Sequence, residues 1–162
     1  VDDRLYQLTW RSQVAFQLDF ETFEFIQAFG YVGEGWGLCY DDEFLYMSNG
    51  SSSLTRRDPT TFEPLEEIPV TMRGEPVNNL NELECVGDDI YANIWQTDYI
   101  VIIDKHTGNI RARIDASGLL TPDESINANV LNGIAHIQDD LFYITGKDWP
   151  KLFEVRFVPV ED

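Results

Sequence analysis

Two histidines, two cysteines and the lack of a Gly-x-Ser-x-Gly or phosphate-cradling glycine loop leave this chain with little sign of nucleophilic, metal or phosphoryl chemistry. His106 lies in an Asp-Lys-His-Thr-Gly turn and reads as solvent exposed, and His136 reads as a packed side chain rather than a ligand. What the chain places at intervals are residues that bind and stack. They gather in Gly33-Glu34-Gly35-Trp36-Gly37, Asn79-Leu80-Asn81-Glu82 and Leu131-Asn132-Gly133, joined by Trp10, Trp95 and the Thr145-Gly146-Lys147 turn. Taken singly, each has a plain structural reading. A Trp packs between sheets, Asn81 caps a turn as Asn132 does, and Lys147 pairs with Asp148 on the surface.

These residues recur because the segments that hold them recur. Leu80-Asn81-Glu82-Leu83-Glu84 and Leu131-Asn132-Gly133-Ile134-Ala135 stand 51 residues apart, each followed by an Asp-Asp pair and an apolar-aromatic stretch. Self-similarity at such a period marks supersecondary units that cannot bury their faces alone. Cutting at turn formers gives short β-branched and aromatic runs at 83–86, 90–95, 99–104 and 110–115. The preceding unit reads 36–40, 44–49, 53–58 and 64–70; the first reads 5–10, 14–19 and 24–29; the last reads 134–137, 141–145 and 151–158. Asp19, Asp58 and Asp104 end equivalent strands. The pattern predicts an all-β chain, a β-propeller of four-stranded antiparallel blades, in one partial domain with units at 1–30, 31–77, 78–129 and 130–162. Fourteen strands in this order leave a ring open, so an N-terminal portion is expected to be missing and the edges to seek partners. A single helical turn is expected near 122–126.

Composition narrows the function classes. With 43% apolar and 13% aromatic residues over 162 positions, the chain has enough material for a core. The net charge of −18, with only 11 Lys and Arg, argues against a nucleic-acid partner. No apolar run approaches the length of about 18 residues that a membrane helix needs, which leaves no membrane partner in view. Val1 opens no basic, apolar leader, so a targeting segment is read as absent or removed. Cys39 and Cys85 occupy corresponding strands of neighbouring units and are read as buried free thiols in preference to a bridge or a metal site.

Six motifs in register carry a resemblance. Gln7-Leu8-Thr9-Trp10, Glu34-Gly35-Trp36-Gly37-Leu38, Leu80-Asn81-Glu82-Leu83-Glu84, Ala92-Asn93-Ile94-Trp95-Gln96-Thr97-Asp98, Leu131-Asn132-Gly133-Ile134-Ala135 and Thr145-Gly146-Lys147-Asp148-Trp149-Pro150-Lys151-Leu152-Phe153-Glu154 are similar to segments of the plant-type glutaminyl cyclases and their bacterial relatives. The resemblance implies a five-bladed propeller, about three and a half blades of it here, that converts the N-terminal Gln of a peptide or protein to pyroglutamate with release of ammonia. That reaction demands no cofactor; it needs a near-attack geometry, one proton shuttled and an oxyanion stabilised. Some plant relatives hold a structural calcium, so one is left open.

By the same resemblance Asn81 and Lys147 are the catalytic candidates, an amide donor and a cation for the developing oxyanion. Trp10, Trp36 and Trp95 would dock the glutaminyl side chain and exclude water. The family's proposed catalytic glutamate lies in a Gly-Glu-Gly-Leu motif on an earlier blade that this chain lacks. Gly33-Glu34-Gly35 runs into Trp36-Gly37-Leu38 and belongs to the next motif, so Glu34 is not read as catalytic and the isolated chain is expected to be inactive. The alternative is a non-catalytic module that recognises a peptide or sugar. A secreted or periplasmic location follows by family analogy.

Overall fold

A computed structural model describes residues 1 and 3–159 as strands, tight turns and one turn of helix. The first sheet has the order β1 (Arg4–Leu8), β2 (Val14–Asp19), β3 (Phe25–Gly30). The second runs β4 (Leu38–Tyr40), β5 (Leu45–Ser48), β6 (Ser53–Arg57), β7 (Pro64–Pro69), and a two-stranded ribbon of β8 (Thr71–Met72) and β9 (Glu75–Pro76) follows. The third is β10 (Leu80–Val86), β11 (Asp89–Ile94), β12 (Tyr99–Asp104), β13 (Ile110–Asp115). After α1 (Pro122–Ser125) comes the fourth large sheet, β14 (Leu131–Gln138), β15 (Leu141–Gly146), β16 (Phe153–Arg156). All pairings between named strands are antiparallel and join neighbours in sequence.

One hairpin device is used three times. The Oδ1 of Asp19 accepts from the backbone N–H of Glu21 and Thr22 at 3.1 and 2.9 Å, that of Asp58 from Thr60 and Thr61 at 2.8 Å each, and that of Asp104 from His106 and Thr107 at 3.0 and 2.9 Å. An aspartate that satisfies two turn amides nucleates the reversal locally. The next residue then takes a left-handed conformation, φ 59° at Phe23, 62° at Phe62 and 71° at Gly108. At Gly108 no side chain fits, because a Cβ would lie 2.0 Å from the Pro69 carbonyl oxygen.

Apolar clusters lie between successive sheets. Ala15, Tyr31, Leu45, Met47 and Phe62 join the first two; Leu54, Ile68, Leu80, Leu83, Val101 and Ile103 join the second and third; Ile100, Leu131, Ile134, Phe142 and Ile144 join the third and fourth. Central β12 is buried on both faces, Ile100 towards one neighbour and Val101 with Ile103 towards the other, which explains its unbroken apolar run. Each such fully buried side chain contributes about 1.5–3 kcal/mol of transfer free energy. The outermost strands β3, β7 and β13 are mostly exposed.

The propeller expectation is corrected here. The chain is all-β, but its five sheets stay separate and open, and none curls or closes. Hairpins link each strand to its sequence neighbour, which completes a meander and leaves two free edges per sheet rather than a ring. The β8–β9 ribbon also escapes the strand reading, because its two-residue strands carry too little periodicity.

Candidate functional site

The site is built around β10, which packs between the first strands of the adjacent sheets, β4 and β14. Registers shift between Leu80 and Leu83 on β10 and between Leu131 and Ile134 on β14, so both repeats carry the same irregularity just after a buried leucine. Bulges of this kind re-aim side chains, and at both places the displaced residue is an asparagine. Asn81 is held by its main chain: its carbonyl accepts from Ser48 Oγ at 2.6 Å, and Ser48 Oγ accepts from the Gly37 N–H at 2.9 Å. Gly37 must lack a side chain, since a Cβ would sit 2.1 Å from the Asn81 carbonyl oxygen. Among the described residues the Asn81 carboxamide has no hydrogen-bond partner, although the residue is only 5% exposed.

That carboxamide borders a pocket of about 350 Å³ lined by Trp10, Gly35, Trp36, Asn81, Trp95, Asn132 and Lys147. All five residues singled out in the sequence therefore meet at one opening. Trp36 and Trp95 stand edge to face with ring centroids 5.3 Å apart. Trp36 lies over Gly50, whose missing Cβ would come within 2.7 Å of the ring. Trp10 and Trp36 donate their indole N–H groups to the same oxygen, Glu34 Oε2, at 2.6 and 2.8 Å, and Arg11 lies 3.4 Å from Oε1 while its guanidinium covers the Trp10 ring at 3.9 Å. The Trp36 and Trp10 bonds hold the Glu34 carboxyl below the usual carboxylate range. Glu34, left aside in the sequence reading, is thus the post that fixes two walls.

Lys147 follows β15, and its main chain bonds both ways to the adjacent loop, N–H to Val130 O at 2.9 Å and O from Asn129 N–H at 2.8 Å. Trp149 donates to Asn129 O at 2.8 Å and packs so closely on Gly146 that a Cβ there would meet its ring nitrogen at 2.3 Å. The turn is therefore rigid while the ammonium is exposed, and among the described residues Lys147 makes no ion pair, with Asp148 or any other acid. Of the four tryptophans it is Trp149 that packs against a core cluster.

The carboxylates of β10 are perturbed. Burial, reinforced by Glu84 and opposed by Lys147, pushes Glu82 up to about 7. Burial raises Glu84 as well, against the bond that its Oε1 accepts from the His136 N–H at 3.1 Å. Asn132 Oδ1 accepts from the Glu82 N–H at 3.3 Å, so this asparagine spends its carboxamide on the neighbouring strand while still lining the pocket. His136 packs its ring on Phe142 and places Nε2 3.1 Å from Asp139 O, and His106 is exposed beside Asp88, both in keeping with the sequence reading.

The cysteine reading is corrected. Cys39 on β4 and Cys85 on β10 form a disulfide with Cα atoms 5.5 Å apart. Equivalent first strands lie side by side, which brings the two thiols within bridging range. Among the described residues no group of three or more His, Cys, Asp or Glu could hold a metal ion.

Comparison with known proteins completes the description. Residues 1–157 match the family described as glutamine cyclotransferase. A glutaminyl-peptide cyclotransferase of Arabidopsis thaliana is 35% identical over 159 residues, covering 95% of this chain and 50% of that protein. The crystal structure of Myxococcus xanthus glutaminyl cyclase superposes with a TM-score of 0.88 at 41% identity, over 98% of this chain and 70% of that one. BamB from Moraxella catarrhalis, at 13% identity and a TM-score of 0.57 over 96% of this chain and 44% of its own, shares the fold alone. The chain spans about half the length of the plant relative.

Proposed function

Because the chain belongs to the glutamine cyclotransferase family, we propose that its pocket receives the N-terminal glutaminyl residue of a peptide or protein and serves its cyclisation to pyroglutamate with release of ammonia. The observation that carries this reading is convergence: Trp10 beyond β1, Trp36 before β4, Asn81 on β10, Trp95 beyond β11 and Lys147 beyond β15 come from four sheets to one pocket. The α-amine of the substrate attacks its own side-chain carboxamide carbon, so the site has to hold a folded-back conformer and exclude water. Trp36 and Trp95 at a fixed right-angle packing, with Trp10 tied to Trp36 through Glu34, supply walls that lose little freedom on binding. The unpartnered Asn81 carboxamide offers N–H donors and Lys147 an unpaired cation to the oxygen that becomes negative in the tetrahedral intermediate.

Against the inactivity expected from the sequence, the assembled pocket should release ammonia from a Gln-initiated peptide and change its tryptophan emission, and an N-acetylated control peptide should give no ammonia. No ammonia together with unchanged emission overturns the reading. The Cys39–Cys85 disulfide favours an oxidising, extracytoplasmic location, since such bonds persist in secreted and periplasmic proteins.

A further inference from the structure

A second cavity, of about 220 Å³, lies between Asp98, Leu119, Leu120, Ser125, Asn129 and Trp149. The two turns that wall the pocket wall this cavity as well. The turn after β11, closed by the Thr97 N–H to Ile94 O at 3.1 Å, gives Trp95 to the pocket and Asp98 to the cavity; the turn after β15, closed by the Trp149 N–H to Gly146 O at 3.2 Å, gives Lys147 to the pocket and Trp149 to the cavity. At about 3.8 Å per Cα step, Trp95 and Asp98 stand no more than about 11 Å apart and Lys147 and Trp149 no more than about 8 Å. An extended peptide crosses such a distance with two or three residues, at about 3.3–3.6 Å each.

The cavity is smaller than the roughly 300 Å³ at which sites for whole small molecules begin, so it suits a single side chain. Most of its polar atoms are spent. The Ser125 hydroxyl donates to Thr121 O at 2.9 Å, Asn129 Oδ1 accepts the Val130 N–H at 2.8 Å, and Asn129 O accepts the Trp149 indole N–H at 2.8 Å. Asp98 differs: its carbonyl accepts the Ala116 N–H at 2.9 Å, but its carboxylate makes no hydrogen bond or ion pair among the described residues. Two cations of adjoining segments are engaged elsewhere, Lys151 with Glu124 and Arg113 over the Tyr99 ring at 4.2 Å. Leu119, Leu120 and Trp149 thus form an apolar wall with one free anion at its edge. Such a wall fits lysine or arginine, whose methylene stem packs on apolar surface while the charged head reaches out to a carboxylate.

Resting on the proposed function above, we propose that this cavity is a subsite for a lysine or arginine two or three residues after the N-terminal glutamine, with Asp98 as the residue that determines the preference. The spacing of the two turns sets the position. A cation directly after the glutamine meets the unpaired Lys147, which opposes it, whereas one or two residues further on it meets the Asp98 carboxylate. The chain's net charge of −18 draws any basic peptide. The subsite adds a requirement on where in that peptide the basic residue stands.

Calorimetric titration of the purified chain with Gln-initiated pentapeptides tests the assignment, each peptide being alanine after the glutamine except for one lysine at the second, third, fourth or fifth position, with uncharged norleucine as the counterpart. At the third or fourth position lysine should bind about fivefold tighter than norleucine, the size of a well-placed surface ion pair, and at the second position no tighter. Asp98→Asn should erase that preference and leave the affinity for the all-alanine peptide unchanged. Glu21→Gln, which removes the same charge from the turn between β2 and β3, should keep it. A lysine preference equal at every position, one that survives Asp98→Asn or is lost in both variants, or an Asp98→Asn loss that falls equally on the all-alanine peptide overturns the subsite and leaves the pocket reading standing. A wild-type chain that binds none of the peptides overturns the pocket reading and the subsite with it.

Discussion

The two flanks of β10 are built by different means. Towards β4 the backbones come close enough that Gly37 has no room for a Cβ, Ser48 bridges the two chains, and the Cys39–Cys85 bond locks the seam. Towards β14 the named links are side chain to backbone, Asn132 to the Glu82 N–H and Glu84 to the His136 N–H. The first flank is closed by an ion pair, Asp41 to Lys105 at 2.8 Å, which holds the Asp41 carboxyl low against its burial; the second carries carboxyls that burial raises. Asn81 belongs by its main chain to the stiff flank, which leaves its carboxamide free, and the repeat-equivalent Asn132 belongs to the other, where its carboxamide oxygen is engaged. A shared Leu-Asn step and the same register shift thus yield one side chain available for chemistry and one employed as a strut.

The largest effect should separate the two asparagines. Asn81→Ala removes a candidate oxyanion donor and should lower kcat for ammonia release by about 10²–10³-fold, whereas Asn132→Ala should cost less than tenfold; equal losses would erase the distinction. Next, replacing Cys39 and Cys85 together by Ala should lower stability to urea by about 2–4 kcal/mol through the longer-lived freedom of the unfolded chain. An unchanged midpoint would mean that Gly37 and Ser48 hold the stiff flank unaided.

The smallest effect concerns pH. Glu82 binds its proton more tightly folded, at about 7, than at its ordinary 4.5. Its contribution is therefore complete below about 4.5 and is lost as pH rises through 7, a change on the order of 2–3 kcal/mol. Glu82→Gln should flatten that part of the stability profile, and a wild-type profile already flat between 4.5 and 7 would deny the second flank its titrating character.

Much of the meander was legible because punctuation is local: the Asp19, Asp58 and Asp104 turns announce themselves, and β2, β12 and β13 fall on 14–19, 99–104 and 110–115. The starts of β10 and β14 were placed three residues late because the bulges break the alternation on which strand reading depends, and those bulges are where the pocket asparagines sit. The propeller was misjudged because a repeat shows that units recur but not how the separate sheets are arranged. The disulfide turns on how near two backbones approach, a quantity no spacing reports. The five pocket residues came from resemblance rather than from periodicity. Glu34 and Glu82 left only faint traces: an acid between two glycines beside a tryptophan, and an acid interrupting a buried strand.

The shared anchor at Glu34 has a last implication. Two indoles from separate sheets hang on a single oxygen atom, so one protonation, at a pH lower than an ordinary glutamate requires, slackens both at once. Acid would then open the aromatic mouth as a unit, and the same event would register as a concerted shift in the light the protein emits.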